Sequence, residues 1–165
     1  MNDIFWKIKS FFWRVKNTWS WAKFIWKIRW HEYDAVYEIM KFSLLKTIHA
    51  FENARVHHVG MEHDIYYMRL CVKLIERIQS EYYDERAFDE LEKRWGKYNT
   101  TIKPIDGDDA FYSMIIKREL EKTEEDSSRY KEDFVRTHKY WTNKHEKAKK
   151  LLYRILQERL EHWWI

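Results

Sequence analysis

Apolar residues recur at steps of three and four along most of the chain, a spacing that predicts helices rather than strands. Residues 3–16 place such residues on one face of an amphipathic helix: Ile4, Ile8, Phe11, Phe12, Val15 and Trp19. Asn17 and Thr18 weaken this pattern. Their short polar side chains compete for backbone hydrogen bonds, so we expect a bend or break there. Residues 21–30 continue the helical pattern with a less regular period.

The middle of the chain predicts a helical hairpin. A second helix over residues 32–53 and a third that begins at Met61 each carry a regular apolar face. Cys71 lies on the face of the third helix, where we expect a small buried hydrophobic side chain rather than a nucleophile. Gly60 precedes that helix and can adopt a left-handed C-cap conformation. We therefore expect an antiparallel hairpin over residues 32–82.

The region after this hairpin is less regular. A shorter helix is predicted over residues 84–95, with Asp84 as its N-cap. A loop is predicted over residues 96–107, where two of the three glycines and the only proline occur. The chain is again predicted to be helical after this loop, with Asp106 or Asp108 as the cap.

Composition narrows the fold class. Only three Gly and one Pro occur in 165 residues, which argues against sandwich, barrel and Rossmann folds because these need many tight turns. A further helix break is expected within the polar residues 123–128. The prediction is an all-α helical bundle built on the hairpin. A basic aromatic segment, residues 1–30, joins the bundle of residues 31–165 in one domain.

Positive charge is concentrated at the start of the chain. The first 30 residues hold seven Lys or Arg against Asp3 alone, a net charge of +6, so the other residues carry −2 of the total of +4. This asymmetry predicts an anionic partner, such as a nucleotide, nucleic acid or lipid headgroup, unless the segment docks on the chain's own acidic part. With one Cys, no secretory signal and no spanning run of about 20 apolar residues, we expect a cytoplasmic protein.

A stripe of alternating indoles and cations lies opposite the apolar face of the first helix. Trp6, Lys9, Trp13 and Lys16 are three and four residues apart, and Arg14 flanks them. Indoles can stack on nucleobases while the cations hold phosphates. The same segment could lie on a membrane with its lysines at anionic headgroups. A third interpretation is a docking helix with intrahelical cation–π pairs. These alternatives stay open here.

A turn rich in histidine is a second candidate contact region. His57 and His58 precede Gly60, and His63 follows between two acids. A metal could take His58, His63 and a carboxylate, but the spacing matches no structural zinc pattern, so we expect no metal there. Turn hydrogen bonding and an anion site at the following helix N-terminus are the alternatives.

Two other sites have simpler interpretations. Residues 31–34 carry a His and two acids, which favour a helix start over general acid–base chemistry. The terminal Trp163 and Trp164 belong either to the core or to an interface with a partner subunit. Signatures of common enzyme families are absent from the sequence, so we predict no catalytic site and no cofactor.

The chain also resembles a group of small proteins encoded by tailed bacteriophages, to which no activity is assigned. The resemblance covers residues 24–96 and the Trp163-Trp164 pair, and it is carried by four blocks: Trp26 to Asp34, the Phe42 region, residues 57–64 and residues 68–78. In that group a Trp commonly replaces Tyr33, and an acidic residue replaces Ile165. The resemblance implies a viral protein that binds a host factor or sequesters a host signal in the host cytoplasm.

These observations favour a non-enzymatic binding protein. The leading hypothesis is capture of an anionic nucleotide-like ligand, for example a nucleotide signal of bacterial defence, by the indole–cation stripe, with no sequence-specific binding of duplex nucleic acid. One alternative is a helical interaction or scaffold protein that buries its Trp-rich surfaces against a second copy or a host protein. The other is peripheral membrane attachment through residues 1–30.

Overall fold

The computed structural model shows an all-α helical fold with one small β-hairpin. It describes residues 2–28, 34–53, 59–105 and 108–163. The elements in chain order are α1 (Asn2–Lys27), α2 (Ala35–Glu52), α3 (Met61–Gln79), α4 (Tyr82–Trp95), β1 (Tyr98–Ile105), β2 (Asp108–Arg118), α5 (Glu124–Arg159) and a 3₁₀ turn (Leu160–Trp163). The predicted fold class is confirmed, and α2 packs on α3 as the expected hairpin.

The hydrophobic core lies between this hairpin and α5. With 36 residues, α5 is about 54 Å long, so it packs on α4 with its first half and on α3 with its second. The 3₁₀ turn then brings Trp163 back into the core, where only 2% of its surface is exposed. The largest fully buried side chains are Met68, Cys71, Ile75, Leu91 and Leu152.

α1 is a single uninterrupted helix, so the break expected at Asn17 and Thr18 is wrong. The Asn17 side chain does not compete for the backbone of its own helix. Its Oδ1 accepts a hydrogen bond from Lys46 Nζ of α2 at 2.5 Å. A tertiary contact therefore occupies the amide that would otherwise weaken the helix locally.

The β-hairpin is the main departure from the predicted fold. β1 and β2 pair in antiparallel register from Tyr98 opposite Arg118 to Ile102 opposite Met114. They replace the loop expected over residues 96–107 and the helix expected after it. The β-branched pairs along both strands favour this pairing: Thr100 with Ile116 and Thr101 with Ile115. Asp108 is a strand residue rather than a helix cap, and Asp106 lies outside the described residues.

Several helix boundaries also differ from the predicted ones. α4 begins at Tyr82, so Asp84 lies in its first turn and is not the N-cap. Gly60 is left-handed as predicted, with φ of 95°, but it precedes α3 instead of capping α2, whose C-cap is Asn53. The break expected within residues 123–128 corresponds to the start of α5, where Thr123 is the N-cap.

Candidate functional site

The first half of α1 extends away from the bundle. Every side chain from Phe5 to Lys16 is exposed, including the indoles of Trp6 and Trp13, at 61% and 66%. Two intrahelical cation–π contacts are present in the described part of α1: Lys9 Nζ lies 5.3 Å from the Trp6 ring centroid, and Lys23 Nζ lies 5.4 Å from that of Trp19. The indole–cation stripe predicted from the sequence is thus open to solvent.

The apolar face of α1 is exposed as well. It extends the predicted face by about two turns, from Trp19 to Trp26, which is 91% exposed. The exposed large side chains on this face are Ile8, Phe11, Phe12, Val15, Trp19 and Trp26. An apolar stripe of this length on a helix surface is typical of a site that binds a partner or a membrane.

Cations border this apolar face on both sides. At 100° per residue, Lys7 and Arg14 lie along one edge. Lys9, Lys16 and Lys23 lie along the other edge. Within the described residues, none of these five forms an ion pair with a carboxylate. The positive charge of α1 is therefore available to an external partner.

A small aromatic cluster joins α1 to the bundle. The ring of Phe24 stacks on that of Phe42 of α2, and Trp21 meets both rings edge-on. Next to this cluster, Lys46 Nζ lies 5.3 Å from the Phe42 centroid and donates its hydrogen bond to Asn17. Asn17, Trp21 and Phe24 lie on the side of α1 opposite the apolar face, so the contact with α2 leaves that face uncovered.

A groove of about 920 Å³ opens between α1 and α2 beside this cluster. Its walls combine aromatic rings, cations and small polar side chains, with no Asp or Glu among the described lining residues. The residues that the argument below uses are Trp13, Lys16, Ser20, Trp21, Lys46 and Trp163. Burial lowers the pKa of the Lys46 ammonium, because a charge loses hydration when it is taken out of water.

The structure brings part of the predicted stripe to this groove. Trp13 and Lys16 line it. Trp6 and Arg14 border a separate depression of about 490 Å³ on α1 itself, and Lys9 borders neither. The stripe is therefore divided between two surfaces.

The histidine-rich turn is only partly described. His57 and His58 lie outside the described residues. The exposed His63 contacts α3 and α5: its ring meets Tyr67 edge-on, and its Nδ1 lies 3.1 Å from Arg159 Nη1. In the part of the chain that is described, no group of three His, Cys, Asp or Glu side chains is placed to hold a metal ion.

The remaining predicted residues lie in the core or outside the described chain. Trp163 is buried in the chain's own core, and Trp164 is outside the described residues. Cys71 is fully buried, and burial raises the pKa of its thiol to about 11. This thiol is a poor nucleophile because the thiolate is the reactive form. Of residues 31–34, only Asp34 is described, at the start of α2.

Comparisons with family models, curated proteins and solved structures found no match. The resemblance to phage proteins stays a prediction. Within the described residues, no helix combines the length and the apolar character that crossing a membrane requires.

Sequence reasoning missed the α2 side of the groove. Lys46, Ser43 and Thr47 line it, yet on α2 they are ordinary polar positions of an amphipathic helix. Only the docking of Phe24 on Phe42 brings them opposite Lys16. No local spacing signals that contact, because Asn17 and Lys46 are 29 residues apart.

Proposed function

We propose that this protein is a non-enzymatic binding protein that attaches to anionic membrane surfaces through α1. The observation that carries the proposal is the apolar face of α1, which is exposed along its length and points away from α2. Both edges of this face carry cations that form no ion pair with a carboxylate in the described part of the chain. A helix of this kind lies in the plane of the interface with its apolar side chains among the acyl chains and its cations at the headgroups. In a phage-infected bacterium, the setting that the resemblance implies, the cytoplasmic leaflet offers such a surface.

The position of the bundle is compatible with this attachment. Asn17, Trp21 and Phe24 contact α2. They lie about half a turn around the helix from Ile8 and Trp19. α1 therefore needs no rearrangement of the core to lie flat on a membrane, and the bundle would sit on the aqueous side.

Magnitudes indicate which force dominates. Full burial of a large apolar side chain contributes about 1.5–3 kcal/mol, and each Lys or Arg near an anionic surface contributes about 1 kcal/mol. Six large apolar side chains on one face therefore outweigh five bordering cations, even when insertion is partial. Salt is expected to weaken binding without abolishing it, while the charges select for anionic lipid.

The charge pattern disfavours a second copy of the chain as the occupant of this face. Two α1 helices packed through their apolar faces would bring Lys7 and Arg14 of one copy near the cations of the other. Asp3 is the one acidic residue in the sequence of α1, against six Lys or Arg. Like charges along a helical interface oppose pairing, whereas an anionic lipid surface neutralises them.

Vesicle flotation tests the proposal. The full chain should float with vesicles that contain phosphatidylglycerol and phosphatidylcholine, and should float much less with phosphatidylcholine alone. Phe12→Glu places a charge on the apolar face, and its flotation should fall at least tenfold. Ser10→Glu is the matched control, because it adds the same charge on the opposite side of the same helix. It should retain most of the flotation.

Three results would overturn the proposal. The first is a wild-type chain that stays in solution with anionic vesicles at low salt. The second is an equal loss of flotation in Phe12→Glu and Ser10→Glu. The third is a chain that is dimeric without lipid by light scattering and monomeric as Phe12→Glu. That outcome would assign the face to a second copy.

A further inference from the structure

The groove between α1 and α2 shares Lys16 with the edge of the proposed lipid surface, but its other lining residues lie away from the apolar face. It opens on the α2 side of α1, opposite the apolar face, so a membrane-bound helix would leave it in water. We infer that this groove binds an anionic ligand with a planar aromatic ring, of the nucleotide class. This inference goes beyond the proposed membrane attachment and does not depend on it.

The cations of the groove come from both walls. Lys16 lies on α1 and Lys46 on α2. Lys46 is partly buried against the rings of Trp21 and Phe42, and its hydrogen bond goes to the neutral amide of Asn17 rather than to a carboxylate. A partly buried ammonium that pairs with no carboxylate in the described part of the chain favours an anion beside it, because the anion offsets the lost hydration. A phosphate group could meet both lysines from inside the groove.

Aromatic rings supply the second half of the recognition. Trp13 lines the groove while two-thirds of its surface remains exposed, so its ring is available for stacking. Trp21 is held in place by its edge-on contact with Phe42, 4.8 Å between centroids. Flat indoles stack on nucleobases with little sequence preference, and adjacent lysines add the phosphate contact. This pairing of chemistries is typical of nucleotide sites.

One buried donor at the groove lacks an acceptor. Trp163 lines the groove from the core side, and its Nε1 is buried with no hydrogen-bond partner in the described part of the chain. Buried N–H groups are rarely left without a partner. Nε1 has no surface open to the groove, so a ligand acceptor would reach it only after a shift of the Trp163 ring. The hydroxyl of Ser20, which lines the groove, is a polar contact for a ribose.

The size of the groove matches a small molecule. Its volume of about 920 Å³ lies within the range of about 300–1,000 Å³ that ligand pockets occupy. A nucleotide that contacts Lys16 and Lys46 together would also hold α1 against α2, which are joined by a small aromatic cluster and by the hydrogen bond from Lys46 to Asn17. We therefore expect the ligand to stabilise the junction of the two helices.

Calorimetry with the full chain at low salt tests the inference, with ADP, adenosine and pyrophosphate as probes. ADP should bind at least tenfold more tightly than either of the other two, because only ADP carries both a base and phosphates. Lys46→Met and Lys16→Met, which keep most of the aliphatic stem, should each weaken ADP binding about tenfold. Lys9→Met is the matched control: it removes the same charge from exposed α1 outside the groove and should change affinity less than twofold.

Three results would overturn the inference: no binding of ADP at low salt, equal affinities for ADP and pyrophosphate, or equal losses in Lys9→Met and Lys16→Met. The last would show general attraction of anions to α1. Vesicle flotation distinguishes the two possible sources of phosphate, a free nucleotide and a lipid headgroup. Anionic vesicles should float Lys46→Met like the wild type, and ADP should not displace the chain from them. If ADP does displace it, the groove and the lipid surface are one site, and the inference of a separate site is wrong.

Discussion

The rings of Phe24 and Phe42 are stacked, with centroids 4.0 Å apart and planes within 4° of parallel. Trp21 meets the Phe42 ring edge-on at 4.8 Å. The side chains from Phe5 to Lys16 are all exposed, and α1 is joined to the bundle by this cluster and by the contacts of Lys46 with Asn17 and Trp21. The orientation of the apolar face and the width of the groove both depend on this junction.

Phe42→Ala is expected to loosen α1 from α2. An aromatic pair contributes about 0.5–1.5 kcal/mol beyond the area that it buries, and this variant loses two such pairs. Amide hydrogen exchange over residues 17–27 should therefore accelerate roughly tenfold, since a tenfold change corresponds to about 1.4 kcal/mol. Phe12→Ala, on the exposed face of α1, should leave exchange unchanged. Equal protection in Phe42→Ala and the wild type would show that the stacked pair does not hold the junction.

Arg118→Lys is expected to destabilise the attachment of the β-hairpin. The Arg118 guanidinium carbon lies 3.4 Å from the Tyr98 ring centroid, and Nη1 donates to the Gly96 carbonyl at 3.0 Å. The side chain is only 3% exposed. A compact ammonium cannot stack flat on the ring while it makes the same hydrogen bond, so the free energy of unfolding should fall by about 1–2 kcal/mol.

Urea unfolding measures this loss. Lys117→Arg, an exposed substitution at the neighbouring strand position, serves as the control and should leave the midpoint unchanged. An Arg118→Lys variant with the wild-type midpoint would refute a structural role for the stacked guanidinium.

Thr123→Ala should remove the N-cap of α5. The Thr123 hydroxyl accepts from Asp126 N at 3.1 Å, and the Asp126 carboxylate accepts from Thr123 N at 3.0 Å. Hydrogen bonds from the Thr123 hydroxyl and backbone also hold the pKa of Asp126 below its ordinary value. Loss of such a cap costs about 1 kcal/mol, which thermal unfolding would register. Thr142 is exposed inside the same helix, so Thr142→Ala should be neutral or slightly stabilising. A Thr123→Ala variant with the same unfolding temperature as Thr142→Ala would contradict the capping role.

Helical periodicity was sufficient to predict most of the fold but not the β-hairpin. The helices α2 and α3 are long and strongly patterned, so their apolar faces identified them without tertiary information. The prediction misses the two strands because the pattern around Asp106 and Asp108 also fits helix caps. Asp106-Gly107 between β-branched segments is a hairpin signal, and Pro104 also argues against a continuous helix.

Only the residues of the candidate site that lie on α1 are predictable from the sequence. Trp13 and Lys16 follow from spacing along α1. Lys46 and Trp163 reach the groove through packing of distant segments, which no periodicity specifies. The expected break at Asn17 failed for the same reason, since its amide is engaged by a residue of another helix.

His145 should make stability depend on pH. Its ring stacks on Tyr83 of α4, 5.0 Å between centroids, and its Nε2 is buried without a partner in the described chain. Burial, with help from Lys149, lowers the pKa of His145 below the ordinary value of 6.5, against the opposing effect of Glu146 and Asp84. The unfolded chain therefore binds a proton more readily than the folded one as the pH falls. The stability associated with neutral His145 is complete above pH 6.5 and declines below it.

Urea unfolding of the wild type and of His145→Gln between pH 7.5 and 5 (roughly one pH unit or more either side of the ordinary imidazole pKa) isolates this contribution. Glutamine stays neutral over the whole range, so the variant should lose less stability than the wild type as the pH falls. Carboxylates distant from His145 affect both proteins alike and cancel in the difference. His162→Gln, an exposed histidine of the 3₁₀ turn, should follow the wild type. If all three proteins lose the same free energy of unfolding, the packing of His145 on Tyr83 does not disfavour its protonation.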